Sequence, residues 1–184
     1  MNPRLIVING SVASGKSTVA RLLAEKLRGM ARSAAVLDLD HLYEMFADDP
    51  KSNATVWCAA RTLAGSLARM LSDDGVAFVI VEGCFWTPAE RHDLCSRLNT
   101  GTQVSWVTLV VSFAEALRRA QGDPTRGLSK DPAFLGTHLA AFHQVLATLQ
   151  ATDRLVMTEG TSPTQIAEDL AEGAVQGTLT SIQA

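Results

Sequence analysis

The stretch NGSVASGKST, Asn9–Thr18, constrains this chain more than any other. Gly10, Gly15, Lys16 and Ser17 stand at the spacing G-x-x-x-x-G-K-S. In such a loop successive backbone N–H groups turn inward around an anion, and glycine permits the close approach. The positive end of a following helix strengthens the attraction. Lys16 then supplies a cation for the β- and γ-phosphates of a nucleotide, and Ser17 a hydroxyl for Mg²⁺. The whole run of Gly10, Ser11, Val12, Ala13, Ser14, Gly15, Lys16, Ser17 and Thr18 is therefore a candidate nucleotide-binding loop. An apolar run, Arg4–Ile8, precedes it, and Val19, Leu22, Leu23, Leu27 and Met30 follow at helical spacing. A glycine-rich turn without a ligand is the alternative. The loop alone leaves open whether phosphate is moved, hydrolysed or only held.

Four further apolar runs read as strands: Ala34–Asp38, Ala77–Glu82, Val104–Val111 and Arg154–Thr158. They do not alternate with polar residues, as expected when helices cover both faces of a parallel sheet. Helix starts lie between them. Thr87-Pro88-Ala89-Glu90 carries a cap, proline at the first helical position and glutamate at the third. Ser112–Glu115 and Ser162–Gln165 repeat the box. Strand, short loop and capped helix in alternation predict an α/β, doubly wound fold over 1–184 as one domain. The tail from about 176 to 184 lacks periodicity and is expected to fray. Ligands of such sheets sit outside the carboxyl ends of the strands, so the residues just after each strand are the candidates.

After the second strand stand Asp38 and Asp40. Two residues apart on an extended segment, their side chains share a side. Carboxylates beside a phosphate site call for neutralisers, and Mg²⁺ and a substrate hydroxyl are the natural ones. Asp38 is a candidate metal ligand, direct or through water; Asp40 is a candidate base that orients a hydroxyl and takes its proton. Asp40 as a plain helix cap is the competing reading. Glu82, at the end of the third strand, stands near the metal or contacts the acceptor. Phe85 and Trp86 wall an acceptor pocket or pack against the next helix. Arg61 either meets an anionic acceptor or is solvated.

The segment ALRRAQGDPTRGLSKDPAFL breaks the helix after the fourth strand at Gly122, Asp123 and Pro124. A lid over about 120–133 would carry Arg126, with Arg119 beside it, toward the phosphates, where an arginine offsets transition-state charge. An ordinary surface turn is the alternative. His138 and His143 read as packing or surface residues.

Bulk properties exclude several classes. A formal charge of −3 gives no sign of a nucleic-acid partner. No apolar stretch reaches the ~20 residues of a membrane span, and no secretory signal is evident at the start. Cys58, Cys84 and Cys95 are odd in number and scattered, which suits a reducing cytoplasm. Neither they nor the four histidines have metal-ligand spacing.

Together these positions resemble the small P-loop kinases of the shikimate kinase, gluconate kinase and chloramphenicol phosphotransferase type. Gly10–Ser17 matches their Walker A loop, and Asp38 and Asp40 match the aspartates after strand two. The LDHLYEMF segment is similar to that of chloramphenicol phosphotransferase, whose aspartate at the place of Asp40 is the proposed base. Shikimate kinases carry two lid arginines at a separation similar to that of Arg119 and Arg126. The resemblance implies a three-layer fold with a five-stranded parallel sheet in order 2-3-1-4-5. It also implies ATP and Mg²⁺ as cofactors, adenine near Gly160–Pro163, and a small-molecule acceptor, a metabolite or an antibiotic. Departures are plain. Glu82-Gly83-Cys84 replaces the shikimate kinase glycine triplet, and the adenylylsulfate kinase arginine after Asp40 is missing. The acceptor and the oligomeric state stay open. A kinase is thus the leading expectation, with Lys16, Arg126 and Asp40 in catalysis. A P-loop NTPase or a non-catalytic nucleotide-binding regulator is the alternative. The chain lacks the Asn-Lys-x-Asp motif of GTPases and the Leu-Ser-Gly-Gly signature of transporter ATPases.

Overall fold

The computed structural model describes residues 4–46 and 53–179, together with the backbone of 181–183. In chain order the elements are β1 (Arg4–Gly10), α1 (Lys16–Gly29), β2 (Ala34–Asp38), α2 (Leu39–Glu44) and α3 (Asn53–Asp73). Then come β3 (Phe78–Glu82), α4 (Pro88–Cys95), β4 (Gln103–Val110) and α5 (Phe113–Gly122). A single 3₁₀ turn at Leu128–Lys130 leads to α6 (Pro132–Gln150), β5 (Arg154–Met157), α7 (Pro163–Gln176) and β6 (Ser181–Gln183). The first five strands are parallel in the order β2-β3-β1-β4-β5. The expected order 2-3-1-4-5 is the one found.

β1 explains the layering. Its residues are buried on both faces, and alternation assigns them to different cores. Ile6 and Ile8 pack with Leu23 and Leu27 of α1 and Leu170 of α7. Leu5 and Val7 pack on the opposite face with Ala60 and Ala64 of α3 and Leu94 of α4. A third apolar cluster joins α5 and α6 through Ala116, Ala120, Leu135 and Phe142.

All three capping signatures form. Thr87 and Glu90 make the full reciprocal box. Ser112 accepts from the Glu115 N–H at 3.3 Å, and Ser162 from the Gln165 N–H at 3.1 Å.

The C-terminal end differs from the expectation of a frayed tail. Gly177, at φ 76, closes α7, and β6 pairs antiparallel with Gln103–Ser105 of β4. β5 pairs only with Val107–Val110, so the start of β4 has an open edge of N–H and C=O groups. Three residues suffice to fill it. Such a non-local pairing leaves no local periodicity in the sequence.

Candidate active site

The phosphate loop is built by close approach. At Gly10, φ 148, a Cβ would sit 2.6 Å from the Leu109 carbonyl oxygen, so only glycine lets β1 leave the sheet here. Gly15, at φ 97, precedes α1 and offers no capping side chain. The first N–H groups of α1 thus have no side-chain cap and suit an anion. Ser14 Oγ donates to the Ser11 carbonyl at 2.8 Å, and Lys16 Nζ donates to the same carbonyl at 2.9 Å. Ser11 Oγ is buried without a partner, as is Trp86 Nε1.

Three carboxylates gather beside Lys16. Asp38 and Glu82 are register partners at the ends of β2 and β3. Glu82 is only 4% exposed, and burial pushes its carboxyl up to about 7, opposed by a hydrogen bond with Ser17 and by Lys16. Asp38 raises it further by charge and by a side-chain hydrogen bond. Asp40 lies two residues on, in the first turn of α2; its carboxyl is also raised, chiefly by partial desolvation and against the pull of Lys16. No group of three or more His, Cys, Asp or Glu among the described residues is arranged to hold a metal alone.

The two-residue spacing of Asp38 and Asp40 has a different geometry from the one expected. α2 begins at Leu39, so the pair does not share one extended segment. Asp38, not Asp40, is the cap: its Oδ1 accepts from the Asp40 N–H at 2.9 Å and the His41 N–H at 3.4 Å. Asp40 is left uncommitted in the first turn, where its carboxylate also suits the helix dipole.

Two clefts meet at this point. One, of about 320 Å³, runs along Gly15, Lys16, Ser17 and Thr18 and includes Asp40, Glu82, Arg126 and Phe134. The other, of about 560 Å³, opens on the far side of Lys16 and Asp40 and is walled by α3, the β3–α4 loop and α6. Lys16 and Asp40 belong to both.

Arg126 pairs with Asp123 at 3.3 Å and lines the first cleft. Arg119 does not line it. Its guanidinium donates to the Thr158 carbonyl at 2.9 Å, Thr158 Oγ1 at 3.0 Å and the Ser14 carbonyl at 3.3 Å, and pairs with Glu115 at 2.7 Å. Arg119 is thus a strut between the phosphate loop and the exit of β5.

Phe85 does not wall a cleft as expected from its place after β3: it is fully buried against Trp106, at 5.8 Å between rings. A run such as Phe85-Trp86 places neighbours on opposite sides, and the core takes one. Trp86 does line the larger cleft. Nor is Arg61 solvated. It is 8% exposed, with Nε 3.0 Å from Asp93 and Nη1 3.6 Å from Glu90, and it edges the cleft. Helical packing of α3 on α4 hides it, which spacing alone does not signal.

Several residues of the site escape sequence reasoning. His138 Nε2 accepts the Val12 N–H at 3.0 Å, and burial, helped by Lys16, pulls the imidazole down to about 4. It therefore stays a neutral acceptor that ties α6 to the phosphate loop. Trp57 and Phe134 line the cleft from α3 and α6. Beneath the site runs a buried polar chain. Asn9 Oδ1 accepts the Phe85 N–H at 2.9 Å, and Asn9 Nδ2 donates to Thr108 Oγ1 at 2.9 Å. Thr108 donates to Asp153 at 2.5 Å, and Arg91 makes two bonds of 2.8 Å to Asp153 while lying 4.3 Å over Trp106. This chain fixes the β3 exit against β1, β4 and β5.

The family model described as Zeta toxin matches residues 1–130. No curated protein matches the chain. Solved structures do. A gluconokinase from Sinorhizobium meliloti 1021 is 19% identical, with TM-score 0.64 over 95% of this chain and 93% of that one. The Mycobacterium tuberculosis APS kinase, solved with AMPPNP and APS, is 16% identical, with TM-score 0.63 over 95% and 98%. The Deinococcus radiodurans tunicamycin resistance protein is 20% identical, with TM-score 0.63 over 99% of each chain. At these identities the likeness is one of fold, the fold of the small P-loop kinases.

Proposed function

Because the chain belongs to the zeta toxin family, we propose that it is an ATP- and Mg²⁺-dependent phosphotransferase. It moves the γ-phosphoryl group to a hydroxyl of a small molecule. The observation that carries this reading is the pair of adjoining clefts that share Lys16 and Asp40. A nucleotide hydrolase needs only one of them, and so does a binding module.

In this reading Gly10–Thr18 wraps the phosphates with backbone N–H groups, and Lys16 holds the β- and γ-phosphates. Ser17, Asp38 and Glu82 would supply oxygens for Mg²⁺, directly or through water. When bound, the ion offsets charge on the phosphate oxygens. Asp40 orients the acceptor hydroxyl and takes its proton. Arg126 closes from the lid onto the transferring group, and Arg119 keeps the loop in place. Arg61 and Trp86 belong to the acceptor side. Little covalent chemistry falls to the protein, so positioning and charge supply the rate. No helix of the described residues is long and apolar enough to cross a membrane, and the three free cysteines support a cytoplasmic setting.

The test is ADP release with and without alcohols of different classes. Acceptor-dependent release bears the proposal out. Acceptor-independent release makes the protein an NTPase, and tight ATP binding without turnover makes it a regulatory module.

Glu82→Gln separates stability from function. The folded carboxyl titrates near 7 and the unfolded one near 4.5. The folded state then binds more protons between these values, so stability falls as pH rises through that window and stays lower above it. An amide carries no such penalty. Metal-free Glu82→Gln is expected to be more stable than the parent at pH above about 8, by up to ~3 kcal/mol. The two should converge at pH below about 5. Phosphoryl transfer should drop by about a hundredfold, since the amide offers Mg²⁺ no charge. Thermal melts at both pH values and initial rates check this; a variant less stable at high pH refutes it.

A further inference from the structure

We propose that Arg119 is a positioning residue for the phosphate loop: by holding the Ser14 carbonyl from outside, it turns the N–H of Gly15 toward a bound polyphosphate. This rests on the nucleotide-binding half of the proposed function and adds to it a residue that touches no phosphate.

The loop leaves this peptide unit undecided by itself. Gly15 stands at φ 97, where glycine is at ease, and it carries no side chain to fix its amide. A unit that ends on glycine rotates with little steric cost. In a trans peptide the C=O and the N–H point in opposite directions. Whatever holds the Ser14 carbonyl therefore also aims the Gly15 N–H.

Arg119 is what holds it. Its Nη1 donates to the Ser14 carbonyl at 3.3 Å. The guanidinium is itself fixed, through Nη1 to Thr158 Oγ1 at 3.0 Å, Nη2 to the Thr158 carbonyl at 2.9 Å and Nε to Glu115 at 2.7 Å. Thr158 is buried, and its N–H donates to the Val110 carbonyl at 2.9 Å, so the anchor is the end of the sheet. Gly15 lines the cleft that runs along Lys16, and among the described residues its N–H meets no protein acceptor. Arg119 stays out of that cleft, so its directed effect on an anion there passes through the peptide.

Another unit of the loop is set the opposite way. The Ser11 carbonyl accepts from Lys16 Nζ and Ser14 Oγ, and the Val12 N–H on the other side of that unit goes to His138. Contacts from α5 and α6 thus select which amides are left for a ligand: Arg119 presents Gly15, and His138 withdraws Val12.

Arg119 also carries charge, which attracts polyphosphate whatever the peptide does. Lysine separates the two effects. It keeps the charge but donates from a single point and cannot span Ser14 and Thr158 together.

The experiment is calorimetric titration of the full chain with Mg²⁺ and two probes, inorganic tripolyphosphate and AMPPNP. Arg119→Lys and Arg119→Met are each expected to bind both probes about tenfold more weakly than the parent, by the same factor for the two probes. A loss confined to AMPPNP makes Arg119 a contact for the nucleoside and overturns the proposal. Full affinity in Arg119→Lys overturns it as well, since charge alone would then be the cause. The amide can also be followed directly. Ser–Gly occurs once in the chain, so labelling serine carbonyl carbons and glycine nitrogens isolates the Gly15 amide in an NMR spectrum. A hydrogen bond to phosphate deshields an amide proton. The Gly15 proton should move downfield on saturation of the parent with tripolyphosphate, and much less in Arg119→Lys. An equal shift in both overturns the proposal, whatever the variant does to the melting temperature. A parent that binds neither probe removes the phosphate-loop reading and this proposal together; a parent that binds both, with unchanged affinity in the variants, removes this proposal alone.

Discussion

Asp40→Asn is expected to lower acceptor-dependent phosphoryl transfer by about 10²- to 10⁴-fold while ATP still binds. The side chain keeps its size, and the capping bonds at this turn belong to Asp38, so the fold has no reason to change. What disappears is the proposed proton acceptor at the junction of the two clefts. The pH profile of the parent carries a second signature. Partial desolvation raises the Asp40 carboxyl above the ordinary aspartate value, and a base works only when deprotonated. Activity should therefore be lost as pH falls through a range higher than that of a free aspartate, and the asparagine variant should lack this limb. Full transfer by Asp40→Asn with any good acceptor would remove the residue from the mechanism. Had Asp40 been the helix cap, the same substitution would have cost stability rather than rate.

Asp153→Ala is the largest expected loss of stability, about 3–5 kcal/mol. Asp153 has no exposed side-chain surface and is clasped by Arg91 through two bonds of 2.8 Å, with Thr108 donating to it as well. Alanine leaves the Arg91 guanidinium largely buried without its counter-charge. At this chain length the loss corresponds to a drop in Tm of about 10 °C, readable by thermal or urea unfolding. A double variant, Arg91→Met with Asp153→Leu, should regain much of it, because buried ion pairs are often replaceable by apolar packing of similar volume. Activity need not follow stability back. Arg91 also donates to the Phe85 carbonyl, and that segment presents Trp86 to the larger cleft. A single variant within 1 kcal/mol of the parent would show that the clasp is not structural.

The legible part of this protein is the part written locally. Gly10 and Gly15 stand where the backbone needs unusual φ, Lys16 and Ser17 follow at fixed spacing, and each strand is a short apolar run. The caps at Thr87, Ser112 and Ser162 were visible for the same reason, since each bond spans three residues. The larger cleft is barely visible in the sequence. Trp57, Phe134 and His138 are far apart in the chain and look like ordinary core residues of helices. Only the packing of α3 and α6 over the β3 exit brings them to one cleft. Arg61 shows the same limit from the other side, because an arginine on a helix reads as solvated until another helix covers it.

By itself, then, the sequence determined the α/β alternation, the phosphate loop and the neighbouring carboxylates, because propensity, capping and loop chemistry act over a few residues. The tertiary structure decided which aspartate caps and which stays available, since that turned on where α2 begins. It decided that Phe85 is core and Trp86 cleft, that Arg119 braces while Arg126 reaches the cleft, and that β6 closes the open edge of β4. Each of these depends on contacts between segments distant in the chain, whose geometry is set by burial and hydrogen-bond satisfaction across the whole fold.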